Sequence, residues 1–346
     1  MINLEKEIRE QPDTLRKLKE TALPMIKKAV SEAKRRDVNY IYLAARGTSD
    51  HACIYAQYLF QTEIGLPCAL ATPSVLTKYK GKLCLKGALV IGVSQSGAAE
   101  DVMAVLNRAK DCGAMTIGIT NTEGSLVANT ADYHIYLGVG KENSIAATKT
   151  FTAQLAVMTL LCAEWTDNKE LLDNYDKLPA AAKTLLDTLP PQLEGMITDF
   201  KELDSGVVLG RGFNYPIALE GALKIMETSK INMRGYSMSD FYHGPFAQLT
   251  YGGTVFLLAS DGVMYDDAKA VLAKLHTTPS RVVVVSDNPE ILSDCRYGLK
   301  IPNMGSDILS PYMFVMTMQL FALKLTEVKG IDPDKSDVIK KVTVTK

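Results

Sequence analysis

The sequence has no C-x-x-C pair, no charge surplus and no long apolar run, and each absence removes a class of function. Cys53, Cys68, Cys84, Cys112, Cys162 and Cys295 stand singly, which argues against a zinc site and against a disulfide framework. Free thiols fit a reducing cytosol, so a cytoplasmic location is expected. The formal net charge is −1, without the basic footprint of a nucleic-acid binder. The opening MINLEKEIREQPDT alternates charges and lacks the apolar core of a signal peptide. No apolar stretch reaches the ~18 residues of a membrane span. There is no G-x-x-x-x-G-K-[ST] phosphate loop. What remains is a chain of 346 residues, 47% apolar and 22% charged, as globular proteins are. Its length suggests about two domains.

Residues 2–36 read as helical, with Pro12 and Pro24 as first-turn positions or breaks. Short apolar runs follow: YIYLAARG (40–47), GALVIGVSQSG (87–97), AMTIGIT (114–120) and DYHIYLG (132–138). Helical patterns separate the first three. Val102, Val105, Leu106 and Ala109, for example, fall on one helical face. A helical stretch from Ala146 to Trp165 closes this half. The pattern then recurs as GVVLGRG (206–212), TVFLLAS (254–260), RVVVVSD (281–287) and GLKIP (298–302), closed by a helix from Pro311 to Val328. Gly47 and Gly212 are 165 apart; Ser94 and Ser260, like Thr120 and Ser286, are 166 apart. The chain therefore holds two copies of one α/β unit. Near-continuous apolar strands alternating with helices imply parallel sheets covered on both faces. A proline-interrupted helical joint spans 167–201, and the last sixteen residues form a tail.

In such sheets ligands bind beyond the C-terminal strand ends. ARGTSDH (45–51) and SQSGAAED (94–101) fall there, each at a helix start where free N–H groups favour an anion. Thr48, Ser49, Ser94 and Ser96 add hydroxyls, Gln95 an amide, and Gly97 lets the backbone come close. The pattern suits one small phosphate ester. The alternative is simple N-capping, for which Ser and Thr are favoured. In the second copy GRGFNYP and ASDGVMY lack this hydroxyl density, so one phosphate site per chain is expected, in the first half.

EIREQP (7–12), RGTSDHA (46–52), SQSG (94–97), ATKTFTAQL (147–155), LGRGFNYPIALEGALKIMETS (209–229), HGP (243–245) and KKVTV (340–344) together resemble the sugar isomerase (SIS) family. Within it they are similar to the isomerase half of glucosamine-6-phosphate synthase. The resemblance implies two tandem SIS domains of α/β class, each a flavodoxin-like parallel sheet in three α/β/α layers. Their expected extents are 1–166 and 167–346. It implies a small sugar phosphate as ligand, no cofactor and no metal, and no nucleic-acid or membrane partner. It also implies a homodimer in which His243 is donated across the interface. Without the glutaminase half, the chain is expected not to make ammonia from glutamine.

Carried over by the resemblance, the phosphate-binding set is Gly47, Thr48, Ser49, Ser94, Gln95, Ser96 and Gly97, with Ile145 beside the substrate. Glu227 is the catalytic carboxylate, Lys224 the helix lysine, His243 the ring-opening histidine and Lys340 the lysine of the tail. Ala99 and Ala147 replace a threonine and a serine of the synthase, and Met226 replaces a lysine. The implied chemistry is metal-free. A group of near-neutral pKa such as His243 shuttles the ring-opening proton. One carboxylate moves a proton between C2 and C1, and a lysine stabilises the enolamine or forms an imine.

Without the resemblance each residue has a plainer reading. His243 is then a turn histidine, Glu227 the edge of a wet helix face, Lys224 and Glu227 a surface pair, and Lys340 part of a solvated tail. His51, His134 and His276 receive no role. The resemblance favours a deaminase converting glucosamine 6-phosphate and water to fructose 6-phosphate and ammonia. A fructosamine-6-phosphate deglycase and a non-catalytic sugar-phosphate sensor are the alternatives.

Overall fold

A computed structural model describes residues 2–336, 338 and 341. Two helices open the chain, α1 (Asn3–Arg9) and α2 (Gln11–Arg35). The first repeat runs β1 (Tyr40–Ala44), α3 (Thr48–Leu59), β2 (Cys68–Leu70), α4 (Ser74–Thr77), β3 (Ala88–Ser94), α5 (Glu100–Asp111), β4 (Met115–Thr120), α6 (Leu126–Thr130), β5 (Tyr133–Tyr136) and α7 (Lys149–Trp165). After α8 (Lys169–Tyr175) and α9 (Leu178–Glu194) comes the second. It runs β6 (Ser205–Gly210), α10 (Tyr215–Ser229), β7 (Asn232–Ser237), α11 (Met238–Tyr242), β8 (Thr254–Ala259), α12 (Tyr265–Leu275), β9 (Arg281–Ser286), α13 (Pro289–Leu292), β10 (Tyr297–Lys300) and α14 (Ser310–Lys329).

Each repeat builds a five-stranded, all-parallel sheet. The orders are β2-β1-β3-β4-β5 and β7-β6-β8-β9-β10, so the two copies share one topology. Every residue of β3, β4 and β8 is buried, which is why these strands read as unbroken apolar runs rather than alternations. Gly92 of β3 pairs with Gly118 of β4. A Cβ at Gly92 would sit 2.8 Å from Val102 Cγ1, so glycine here lets α5 lie close on the sheet. This is the expected three-layer α/β arrangement, twice.

Two strands were not legible as runs. β2 is three residues long, and β7 reads Asn-Met-Arg-Gly-Tyr-Ser with only two buried positions. Both are edge strands at the same place in the topology, where one neighbour suffices. Pro24 breaks nothing: it lies inside α2, whose Ala22, Ile26, Ala29, Val30 and Ala33 are buried. Burial of that face outweighs the hydrogen bond that proline removes.

Contacts divide the chain into two compact units that do not follow the linear halves. One gathers residues 13–142, 149–176 and Lys341 around the first sheet; the other gathers 2–12, 143–148 and 177–338 around the second. In the second unit α14 is buried on all sides from Ser310 to Leu323 and is mostly apolar, as befits a central helix. Among the described residues no helix is long and apolar enough to cross a membrane.

Candidate active site

In the first unit the chain leaves β1 through Arg46 and Gly47 and enters α3. Gly47 is the residue before the helix, with φ +55°, a left-handed conformation that favours glycine. The chain leaves β3 through Ser94–Gly97, and α5 starts after Ala99. Neither Gly47 nor Ala99 caps its helix with a side chain. The cap positions themselves are thus held by residues without a hydroxyl, and the serines of the Ser94–Gly97 loop precede the α5 cap.

The Ser94–Gly97 loop is fastened from below. Asn121 N–H donates to Gln95 O and Val127 N–H to Gly97 O, both at 3.0 Å. Gly97 has φ +67°, and a Cβ there would come within 2.0 Å of Ser125 Oγ. Ser94 Oγ accepts the Gly97 N–H at 3.1 Å, and Ser96 Oγ accepts that of Ala98 at 3.3 Å. Arg46 joins the two loops: its Nη2 and Nε donate to Asp101 Oδ2, in the first turn of α5, at 2.7 and 2.9 Å. The Asp101 side chain is 6% exposed. Ser49 and Ser94 are buried, while Thr48, Gln95 and Ser96 are half-buried. Burial pushes the Asp50 carboxyl above its usual range.

The second unit repeats this frame and fills it differently. Arg211 precedes Gly212 (φ +58°) and pairs with Asp267 of α12 at 3.0 Å, as Arg46 before Gly47 pairs with Asp101. Beyond β8, however, the Asp261 N–H donates to Asp287 Oδ1 at 2.7 Å. Asp287 follows β9 as Asn121 follows β4. Its carboxyl is buried, and burial pushes its pKa up. An internal carboxylate thus accepts an amide of the strand-end loop. In the first unit Asn121 has no charge, and its side chain bonds Gly140 O and the Val139 N–H.

Helix α10 carries the candidate proton-transfer residues. Lys224 is no surface residue. Its side chain is 1% exposed, with Nζ 2.6 Å from Glu227 Oε2 and 3.2 Å from Glu220 Oε1. Glu220 is 0% exposed and Glu227 25%, so only the latter reaches solvent. Burial pulls the Lys224 ammonium toward neutrality, but Glu220 and Glu227 outweigh it and hold the lysine charged. Glu220 received no role from sequence, although it stands one turn before Lys224 in EGALKIME. Met226 is exposed.

His243 ends α11, exposed, with its N–H on Asp240 O at 3.1 Å. Among the described residues its imidazole makes no hydrogen bond, so nothing joins it to Lys224 or Glu227. Ile145 is half-buried in a segment held by Glu7, another residue without a predicted role. The buried Glu7 carboxylate accepts the N–H groups of Asn143 and Ser144 at 2.5 and 3.1 Å. Lys340 lies outside the described residues. Its neighbour Lys341 bonds the buried Glu142 at 2.8 Å, and Glu142 also accepts the Thr150 hydroxyl.

The SIS domain model matches residues 36–163 and 201–328, one match per repeat. The chain belongs to the SIS domain family. It is 34% identical to a glutamine–fructose-6-phosphate aminotransferase [isomerizing] of Gloeobacter violaceus, over 98% of this chain but 58% of that protein. The chain thus spans less than two thirds of that relative. The C-terminal domain of glucosamine-fructose-6-phosphate aminotransferase from Francisella tularensis superposes with a TM-score of 0.83 at 24% identity, covering 96% of this chain and 98% of that one. Glucosamine-6-phosphate deaminase from Thermotoga maritima gives 0.79 at 23% identity, covering 99% and 100%. At these identities the two structures speak for the fold alone.

Proposed function

We propose that this chain is a sugar-phosphate isomerase of the SIS type that acts as a deaminase, taking glucosamine 6-phosphate and water to fructose 6-phosphate and ammonia. In this reading the loops at Gly47–Ser49 and Ser94–Gly97 hold the phosphate through helix N–H groups and hydroxyls. His243, contributed by the partner in a homodimer, moves the proton that opens the ring. Glu227 takes the C2 proton of the open-chain aldehyde, leaving a C1–C2 enolamine, and returns a proton to C1. The product is a ketose imine at C2. Water adds to that carbon, the C–N bond breaks, and ammonia leaves a ketone. Lys340 is assigned to the enolamine, as an electrostatic partner or through an imine of its own.

The observation that supports turnover is the arrangement of Glu220, Lys224 and Glu227 on α10. A protein that only senses a sugar phosphate needs the strand-end loops and nothing on this helix. Burying an ion pair is weak support for a fold, because apolar residues of similar volume stabilise as well or better. Here a buried lysine is neutralised by one wholly buried carboxylate and by one that still reaches solvent. That leaves a carboxylate held in place and accessible, as a base serving C2 and C1 in turn requires.

The test is to incubate the protein with glucosamine 6-phosphate and measure ammonia and fructose 6-phosphate in parallel. Equimolar release supports the deaminase. Binding without release sinks it and moves the search to fructosamine 6-phosphates; silence there too leaves the sensor.

A further inference from the structure

The three serines of the strand-end loops share one electronic arrangement. Ser94 Oγ accepts from Gly97 N–H, Ser96 Oγ from Ala98 N–H, and Ser49 Oγ from Nε2 of Gln154 at 3.0 Å. A hydroxyl has one proton and two lone pairs. In each serine a protein N–H occupies a lone pair, and among the described residues none of the three protons has an acceptor. Three O–H donors are thus left over at the end of one sheet. Surplus donors suit an anion, whose oxygens only accept and form the stronger bonds, and do not suit a cation.

Two of the three N–H groups are backbone amides of the same loop. The third comes from a side chain on another element: Gln154, 1% exposed in the middle of α7. Its Oε1 has no hydrogen-bond partner among the described residues. In this orientation Nε2 has its acceptor in Ser49, and the unmet bond falls on Oε1. Turned over, it would set Oε1 against Ser49, draw the hydroxyl proton inward, and leave the cradle one donor short.

We propose that Gln154 is a positioning residue for phosphate. It donates to Ser49 Oγ and so keeps the Ser49 proton available to the phosphate group of a sugar phosphate. This rests on the phosphate reading of the strand-end loops and adds a residue that touches no ligand itself.

Equilibrium binding of inorganic phosphate to four proteins tests it: wild type, Gln154→Leu, Ser49→Ala and the double variant. Each single change is expected to weaken binding about 10-fold, the scale of one hydrogen bond to a charged group. The double variant is expected to bind no more weakly than Ser49→Ala alone, because Gln154 acts through that hydroxyl. Wild-type affinity in Gln154→Leu beside weakened Ser49→Ala overturns the proposal and spares the phosphate reading, and so does a double variant in which the two losses multiply. No phosphate binding by wild type overturns both, whereas wild-type affinity in Ser49→Ala overturns the proposal and removes Ser49 from the cradle. Gln154→Glu supplies the opposite sign: a carboxylate takes the serine proton and repels the anion, so it must bind phosphate more weakly than the Leu variant, and tighter binding also overturns the proposal. If Gln154→Leu does not fold, Gln154→Met, which keeps the length of the side chain, takes its place in the cycle.

Discussion

Lys224 Nζ lies 3.2 Å from Glu220 Oε1, and neither side chain is more than 1% exposed. Removing the ammonium leaves the Glu220 carboxylate buried without that countercharge. Lys224→Met is therefore expected to destabilise by about 3–5 kcal/mol, the cost of breaking a buried pair from one side. Urea unfolding against wild type measures it, and a loss within error of zero would mean that water or another cation serves Glu220 equally well.

Glu227 is the contrasting partner. It is a quarter exposed and makes its bond from the rim of the same helix. Glu227→Gln keeps the shape and can still meet solvent, so the fold and phosphate affinity are expected to survive. Turnover of glucosamine 6-phosphate should fall by at least ~10², the usual worth of a positioned acid–base group. Steady-state rates beside phosphate binding separate the two effects. Near-normal turnover removes Glu227 from the chemistry.

Much of this was legible in the sequence, and what was hidden has a physical cause. Strand ends repeat at offsets of 165–166 because both copies fold by one topology around fully buried strands. Edge strands β2 and β7 carry no such signal, since one ladder neighbour and little burial make no demand for apolar runs. Glu220 was visible one turn before Lys224 but received no role from the sequence. Helix α10 packs against α14, far away in sequence, and against β6 and β7, and tertiary packing of this kind is not written in the local pattern. Gln154 stood in ATKTFTAQL without a role for the same reason: its partner Ser49 is 105 residues away. The Asp287 carboxylate, by contrast, gives a physical reason for the poor hydroxyl content of the second copy's loops.

His243 is exposed, and among the described residues its ring makes no hydrogen bond. In the proposed homodimer it serves the partner's Glu227. His243→Ala and Glu227→Gln are each expected to be inactive alone. Mixed and re-associated, half of the dimers pair the two chains, and one of the two sites in each is complete. Roughly a quarter of wild-type turnover is then expected for a symmetric dimer. Absence of rescue, with mixed dimers demonstrated by mass spectrometry, would place both residues in one chain's site.

His134 lies on β5, beside the β4 end that supports the Ser94–Gly97 loop. The Thr120 hydroxyl donates to Thr122 O at 2.9 Å, so its oxygen accepts from His134 Nε2–H at 2.8 Å. Burial pulls the His134 pKa below its ordinary 6.5, and Glu123 offsets this only in part. The unfolded chain therefore binds the proton more readily than the folded one. Stability from this residue is fully present above 6.5 and is lost as pH falls through the lowered folded value. Thermal unfolding from about pH 7.5 to about pH 5.5 should show a falling midpoint. His134→Gln, which keeps an N–H for Thr120 but has no charge to gain, should flatten part of that slope. Thr120 Cγ2 lies 3.3 Å from where a Gly97 Cβ would stand, so the strand end that His134 supports also bears on the cradle. Phosphate affinity of wild type is accordingly expected to weaken at the acid end more than that of His134→Gln, after correction for the protonation of phosphate itself. Parallel slopes in both proteins would assign the acid loss to other groups.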